Sequence, residues 1–154
     1  MQPIESLRIR QFAADDRPLV EAFFDGLGVE SRAFFDRADG NRRGALRFFE
    51  QKSEDAIRWM AVDEAGRMVG YVFLWDVSRG VPWLGVAVAD AYQGRRLGGR
   101  LLAHAHDHAR DAGKGGIFLT THVANLRAQS LYERVGYERL GMHSSGEVLY
   151  VYRF

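Results

Sequence analysis

The sequence predicts an α+β fold, a twisted and largely antiparallel mixed sheet of about seven strands with helices on both faces. Three observations carry this. Apolar residues switch repeatedly between strand and helix periods, in the order strand, helices, three strands, helix, strand, helix, two strands. Two apolar runs, from Ile57 to Val62 and from Met68 to Val77, flank the turn-forming stretch Asp63-Glu64-Ala65-Gly66, which is the pattern of an antiparallel hairpin. A helix separates the fourth strand from the fifth, and a crossover of that kind makes the pair parallel.

Taken in order, Leu7 and Ile9 alternate with Arg8 and Arg10 in a first strand ending near Phe12. Asp15 and Asp16 open a helix on which Leu19, Val20, Phe23, Phe24 and Leu27 recur at helical spacing, with Gly26 and Gly28 as punctuation. A second helical stretch holds Phe34 and Phe35, and a third runs from about Leu46 to Gln51 after a loop of Asp39, Gly40 and Asn41, with Arg42 and Arg43 read as solvated loop residues. The hairpin follows, then a fourth strand from Trp83 to Val88. Leu97, Leu101, Ala105, Ala109 and Ala112 form one stripe of the next helix, which Gly113, Gly115 and Gly116 terminate. The stretch from Ile117 to Val123 lacks alternation, as in a strand covered on both faces. Asn125 is placed to cap a helix carrying Ala128, Leu131, Tyr132 and Val135, and Gly136 stops it. Tyr137 to Met142 and Glu147 to Phe154 close the chain as two strands, with Val148, Tyr150, Tyr152 and Phe154 on one face.

The 154 residues suit one domain spanning 1–154, since a chain of this size can bury most of its surface around one core. Apolar residues at 47% and charged residues at 27% exclude a disordered or fibrous chain. Lys and Arg number 21 against 20 Asp and Glu, so any electrostatic function is local rather than global. With no cysteine there is no disulfide framework, thiolate metal site or Cys nucleophile. The absence of a long apolar run or leader pattern gives the expectation of a cytoplasmic protein without membrane partners. Glycine is over-represented, at 17 against about 11 expected from average usage, and the excess is clustered.

One cluster carries chemistry. Gln93-Gly94-Arg95-Arg96-Leu97-Gly98-Gly99 lies between a strand and a helix, where main-chain N–H groups and the helix dipole favour anionic oxygens and glycines allow close approach. From 93 to 114, Arg95, Arg96, Arg100, Arg110 and Lys114 stand against Asp107 and Asp111, leaving a local +3 (five minus two) suited to a polyanion. The segment is neither a P-loop, lacking Lys-Ser/Thr after the glycines, nor a G-x-G-x-x-G turn. The basic patch is small and has no interleaved aromatic series, so nucleic acid is not an expected partner.

Gln93-x-x-Arg96-x-Gly98, followed by Asn125-x-x-Ala128-x-x-Leu131-Tyr132 and Val135-Gly136-Tyr137, resembles the two signature motifs of the GNAT superfamily of N-acetyltransferases. The resemblance covers about a third of the chain, and the order of the remaining elements is similar too. It departs at Arg96, where the family commonly has Gly, and at Asp90, which replaces a frequent Pro. If position 96 needs a positive φ, its side chain costs about 1 kcal/mol, with a guanidinium near the phosphates as compensation.

The resemblance implies acetyl-CoA as co-substrate and an amine as acceptor. Main-chain groups of Ala87 and Val88 would pair with the pantetheine arm like an added strand. Amides from Arg95 to Gly99, at the Gln93–Gly94 turn and through Leu97 and Gly98, would hold the pyrophosphate. Asn125 would contact cofactor or acceptor near the thioester, and Tyr132 would sit close to the sulfur. Chemistry agrees on Tyr132: a phenol of pKa about 10 is protonated at neutral pH and available to a departing thiolate of pKa about 8.5. The base is less defined. Deprotonating an ammonium of pKa about 10.4 at pH 7 costs about 4.6 kcal/mol in bulk water. Many family members carry a carboxylate at the start of the fourth strand, where this sequence has Val81, Pro82, Trp83 and Leu84. His122, at the end of the fifth strand, and Glu30, in the loop between the first helices, are the candidates, and a water chain without a dedicated base is the alternative.

His104, His106 and His108 have no acidic or Cys partner at metal spacing, so packed or solvated histidines are expected and no metal. Trp75, Trp83, Phe24 and Phe34 are core aromatics or the lining of an acceptor pocket. The expected activity is transfer of an acetyl group from acetyl-CoA to a primary amine by direct attack in a ternary complex. Its alternative is a catalytically silent acyl-CoA-binding regulatory module on the same scaffold. A homodimer through a sheet edge or the last strand is compatible with the pattern, and the acceptor is not readable.

Overall fold

A computed structural model of the protein describes residues 2–35, 41–50 and 54–154. The elements are β1 (Arg8–Gln11), α1 (Arg17–Asp25), α2 (Val29–Phe35), α3 (Asn41–Glu50), β2 (Ala56–Val62), β3 (Met68–Trp75), β4 (Trp83–Val88), α4 (Leu97–Asp111), β5 (Gly116–Thr121), α5 (Leu126–Val135), β6 (Glu138–Met142) and β7 (Val148–Arg153). The seven strands form one sheet in the order β1-β2-β3-β4-β5-β7-β6, antiparallel throughout except for the parallel pair β4–β5. This is the α+β sheet that the alternation of periods predicts.

Alternating strand residues feed two cores. On one face Trp59, Val72, Leu74, Leu84, Ile117, Leu119 and Tyr150 pack with Leu97, Leu101, Leu102, Ala105 and Ala109 of α4 and Tyr132 of α5. On the other, Met60, Val62, Tyr71 and Phe73 pack with Val20, Phe23 and Phe24 of α1 and Ala45 of α3. Gly70 lets α4 approach β3, since a Cβ there would lie 3.0 Å from Leu101 and 3.2 Å from Leu97. Among the described residues no helix is long and apolar enough to cross a membrane.

Several boundaries differ from expectation. Asn41 begins α3, so Arg42 and Arg43 are helical, and Arg42 pairs with Asp25 at 3.0 Å; Asp39, Gly40 and Gln51 lie outside the described residues. Asp16 precedes α1 without capping it, because its carboxylate is taken by the Arg10 guanidinium and the Ala13 N–H. Gly116 does not end α4. It opens β5, where a Cβ would strike the Tyr152 carbonyl, and the stripe on α4 stops at Ala109, Ala112 being exposed. The β5 strand is not covered equally on its two sides: Phe118 and Thr120 are only half-buried. Because β7 lies between β5 and β6, the last strand is closed to pairing, and the sheet edges are β1 and β6.

His104 and His108 place their ring edges against Trp59, 5.2 and 5.1 Å between centroids, which explains their spacing as packing. His106 faces the other way, buried, with Nε2 2.7 Å from the Tyr137 hydroxyl and the Tyr152 ring 4.6 Å away. Burial, reinforced by Arg110, lowers its pKa to about 4. An unfolded imidazole titrates near about 6.5, so below that pH the unfolded chain binds a proton that the fold excludes. Stability is full above this value and declines as the pH falls toward 4. His106→Gln is expected to shrink the difference in unfolding free energy between pH 7 and pH 4.5, measured by urea titration, by about 2 kcal/mol. An unchanged difference would show that His106 titrates normally in the fold.

Candidate functional site

The parallel strands β4 and β5 pair in register only at Trp83↔Phe118. Beyond that point β5 continues with β7 on its other side, Thr121 opposite Val148, while β4 continues with β3, Gly70 opposite Val88. The two separate, and a cavity of about 1750 Å³ lies between them, bounded by the start of α4, one side of α5 and α2.

The ladder decides which main-chain groups face this cleft. The Ala89 N–H donates to the Val69 carbonyl, so Gly70↔Val88 is a non-hydrogen-bonded pair and Tyr71↔Ala87 a hydrogen-bonded one. The N–H and C=O of Ala87 are therefore engaged by β3, contrary to expectation, and Val86 and Val88 turn theirs toward the cleft. Gln93 Nε2 donates to the Val88 carbonyl at 3.1 Å.

The loop into α4 has the shape of an anion cradle. Gly94 and Arg96 both have positive φ, 72° and 71°. Arg96 thus meets the condition set by the sequence, with its cost of about 1 kcal/mol. The Arg100 N–H donates to the Arg96 carbonyl, and the amides before it, at the head of α4, have no helical acceptor. Gly94, Arg96, Leu97, Gly98 and Gly99 all line the cavity. A Cβ on Gly98 would sit 3.0 Å from Leu131, so this glycine also serves the approach of α5 to α4; at Gly99 the nearest atom is 3.9 Å away.

The local +3 is mostly spent elsewhere. Arg95 turns away from the cavity, donating to the Gln2 carbonyl at 3.0 Å with its guanidinium over the Tyr92 ring. Arg100 donates to the Ile4 and Leu7 carbonyls at 2.7 and 2.8 Å. Arg110 lies over Phe154 and pairs loosely with Asp107. Arg96 is left to serve the cleft, joined by Arg127 and Arg134 of α5, which sequence reasoning missed because they are far from the loop in the chain.

Gln93 acts as a tie. Its Nε2 donates to Ser31 Oγ at 3.1 Å, and its Oε1 accepts from Arg127. Asp90 completes the tie: its carboxylate accepts from the Gly28 N–H at 2.9 Å and from Ser31 Oγ at 2.7 Å, and a Cβ on Gly28 would collide with it. The departure from Pro at 90 thus fastens the start of α2 to the end of β4.

Asn125 caps α5 as predicted, its side chain accepting from the Ala128 N–H at 3.2 Å. Tyr132, two turns further on, lines the cavity with only 6% of its surface exposed. No described residue hydrogen-bonds its hydroxyl, whereas Tyr150 donates to Glu133 and Tyr137 meets His106. Burial, then the charge of Glu147 and the neighbouring Tyr150, pushes the Tyr132 phenol up, which keeps it protonated.

His122 lines the cavity 5.5 Å from the Phe34 ring, and its Nδ1 accepts from the Ala124 N–H at 3.0 Å. Glu30 lies in the first turn of α2 rather than in a loop, exposed at the rim. The structure therefore gathers His122, Glu30, Asn125, Tyr132, Val88, Gln93 and the 94–99 loop around one cavity, with the Arg95 side chain outside it. Trp75, Trp83 and Phe34 line the same space, with Trp75 stacked on Trp83 at 6.2 Å, whereas Phe24 is wholly core. Unforeseen at this end are Thr120, His143, Ser145 and Glu147. Glu147 is brought there by the pairing of β7 with β5, which no local spacing announces.

Comparison with known proteins agrees with this geometry. The sequence model of the Acetyltransferase (GNAT) family matches residues 17–137. The chain is 33% identical over 88 residues to N-alpha-acetyltransferase RimI of Mycobacterium tuberculosis, covering 54% of each chain. An uncharacterized protein of Mycobacterium leprae is 31% identical over 80% of this chain, which spans only 31% of that relative. Streptothricin acetyltransferase of Streptomyces lavendulae is 26% identical over 92% of this chain and 68% of its own length. The chain thus spans about half or less of the first two of these relatives. Among solved structures, the GNAT domain of Streptomyces lividans PAT superposes with a TM-score of 0.81 at 20% identity, covering 96% of this chain and 90% of the other. The PaiA N-acetyltransferase of Thermoplasma acidophilum, solved with coenzyme A, gives 0.78 at 15% identity, covering 97% and 99%. These likenesses share the fold, and with a family match over 121 of 154 residues (17 through 137), the chain belongs to the GNAT family of acetyltransferases.

Proposed function

We propose that this protein transfers an acetyl group from acetyl-CoA to a primary amine by direct attack within a ternary complex. The observation that carries the reading is the coincidence, in one cavity, of the β4–β5 opening, the helix start with unfilled donors and the Tyr132 hydroxyl. Acetyl-CoA fits these parts. A diphosphate at the head of α4 takes amides of the 95–99 stretch and the charge of Arg96. An amide-bearing arm laid along β4 pairs with the main chain of Val86 and Val88 as an added strand does. The thioester then lies near Asn125 and Tyr132. As the C–S bond breaks, the electron pair leaves with sulfur, and the phenol stabilises it by donating its hydrogen. No cysteine exists to carry the acyl group covalently. The bare start of β4, without a carboxylate, is the feature that a silent acyl-CoA-binding module on this scaffold would share.

A thiol-release assay with acetyl-CoA against a peptide beginning with Ala, a peptide whose only amine is lysine, spermidine and an aminoglycoside separates the two. Turnover of any of them establishes the transferase, and tight coenzyme A binding with none establishes the silent module.

Tyr132→Phe is expected to lower kcat about 100-fold with acetyl-CoA affinity by calorimetry unchanged; full turnover would remove the phenol from the chemistry. Gly99→Asp puts a carboxylate at the head of α4, where its Cβ meets Leu131 only at an ordinary contact of 3.9 Å and the charge favours the helix and repels a diphosphate. Its melting temperature should hold or rise while coenzyme A affinity drops at least tenfold. Arg96→Gly relieves the left-handed backbone and removes the guanidinium, so it should gain about 1 kcal/mol in stability yet bind coenzyme A more weakly and with less salt dependence. Unaltered binding would take Arg96 out of the cradle.

A further inference from the structure

Resting on the transferase reading above, we propose that Asp90 is a positioning residue for the acceptor amine, holding α2 as the wall past which the amine reaches the thioester. With a diphosphate at the head of α4 and an arm along β4, other parts of the lining are left for the acceptor. They include Ser31 and Phe34 of α2, His122 just after β5, and His143 and Ser145 of the β6–β7 turn. The helix α2 buries little of itself. Val29, Glu30, Arg32 and Ala33 are exposed and Phe34 is half-buried, so of residues 29–34 only Ser31 is buried. An element with so few apolar contacts opens easily unless something else fixes it.

Three ties among the described residues do so. Arg32 donates to the Asp25 and Leu27 carbonyls, which joins α2 to the end of α1, its neighbour in the chain. The Phe34 ring meets the His122 ring at 5.5 Å. Asp90 makes the third, from the far side of the sequence: its Oδ2 accepts from the Gly28 N–H at 2.9 Å and its Oδ1 from Ser31 Oγ at 2.7 Å. The Gly28 carbonyl in turn accepts from the Arg32 N–H, so the carboxylate grips the first turn of α2 and its one buried side chain. Hydrogen bonds to an ionised acceptor are stronger than neutral ones. The anchor is itself fastened to the sheet, since the Ala89 N–H donates to the Val69 carbonyl at 2.9 Å and the Ala89 carbonyl accepts from the N–H of buried Tyr92 at 2.8 Å.

The backbone at 90 allows this role to be isolated. Asp90 opens a short 3-10 turn, Asp90–Tyr92, its N–H makes no hydrogen bond to a described residue, and Ala89 before it is extended, with ψ 142°. Proline meets these conditions. Asp90→Pro therefore removes the carboxylate and leaves the chain path. Gly28 gives a second probe, because a Cβ there would collide with the Asp90 carboxylate and meets nothing else. Asp90→Asn separates positioning from attraction: the amide keeps an oxygen for the Gly28 N–H and can donate to Ser31 Oγ, yet has no charge to draw a cation.

The test is steady-state kinetics at saturating acetyl-CoA with each of the four amines named above, alongside calorimetry of acetyl-CoA and hydrogen exchange of residues 28–34. Asp90→Pro should raise the amine KM about tenfold, with kcat and acetyl-CoA affinity within about twofold of wild type. Exchange in residues 28–34 should quicken while that of β4 stays as it was. Asp90→Asn should keep its amine KM within about threefold of wild type. Gly28→Ala alone should also raise it about tenfold, and in the Asp90→Pro background should add less than about twofold. Ser31→Ala, expected to raise it about threefold, carries the test should Asp90→Pro fail to fold. An unchanged amine KM in Asp90→Pro, unchanged exchange, or a loss that falls on acetyl-CoA affinity or kcat instead would each overturn the assignment. So would an Asp90→Asn as impaired as Asp90→Pro, or a Gly28→Ala effect that persists without the carboxylate. A wild type that turns over none of the four amines overturns the transferase reading, and this role with it.

Discussion

The site depends on one constraint, that β4 and β5 are adjacent in the sheet yet pair at a single position. Parallel strands joined by a crossover helix ordinarily run together for their length. Here β4 follows β3 and β5 follows β7, and the two partners twist apart. The Trp83–Phe118 contact at 5.1 Å closes the narrow end. The opening is also what gives α4 an accessible first turn. A helix start that abuts a continuous sheet would have its donors buried against strand ends.

The second consequence concerns α2. This short helix contributes Ser31, Phe34 and Glu30 to the cavity, and it is fixed by bonds to its first turn from groups that also shape the anion loop. Asp90, Ser31, Gln93 and Arg127 form a chain of hydrogen bonds from α2, past the end of β4, to α5. Because these bonds are shared, the wall that α2 contributes and the loop before α4 are held together through side chains in contact.

Much of this was legible in the chain. Strand and helix order, the 63–66 hairpin turn and the Asn125 cap follow from periodicity, turn composition and motif. Local rules carry such features because the deciding contacts lie within a few residues. What escaped has the opposite character. Whether Ala87 or Val86 faces the cleft depends on which pairs of the β3–β4 ladder are hydrogen-bonded, a parity that a strand sequence does not contain. The direction of the loop's charges is not local either, since Arg95 and Arg100 bind carbonyls of the N-terminal segment more than ninety positions away. Glu147 was invisible for the same reason: the strand pairing that delivers it spans 27 residues from Thr120.

The electrostatics of the cavity are mixed. Arg96, Arg127 and Arg134 line the same cavity as the carboxylates Glu30, Asp90 and Glu147 and the aromatic rings of Trp75, Trp83 and Phe34. A cavity lined by both signs of charge suits ligands that carry charge of either sign. Complementary charge of this kind sets orientation more than affinity. Tyr132 lines it too, buried and neutral. A neutral donor there adds no charge for a ligand to desolvate.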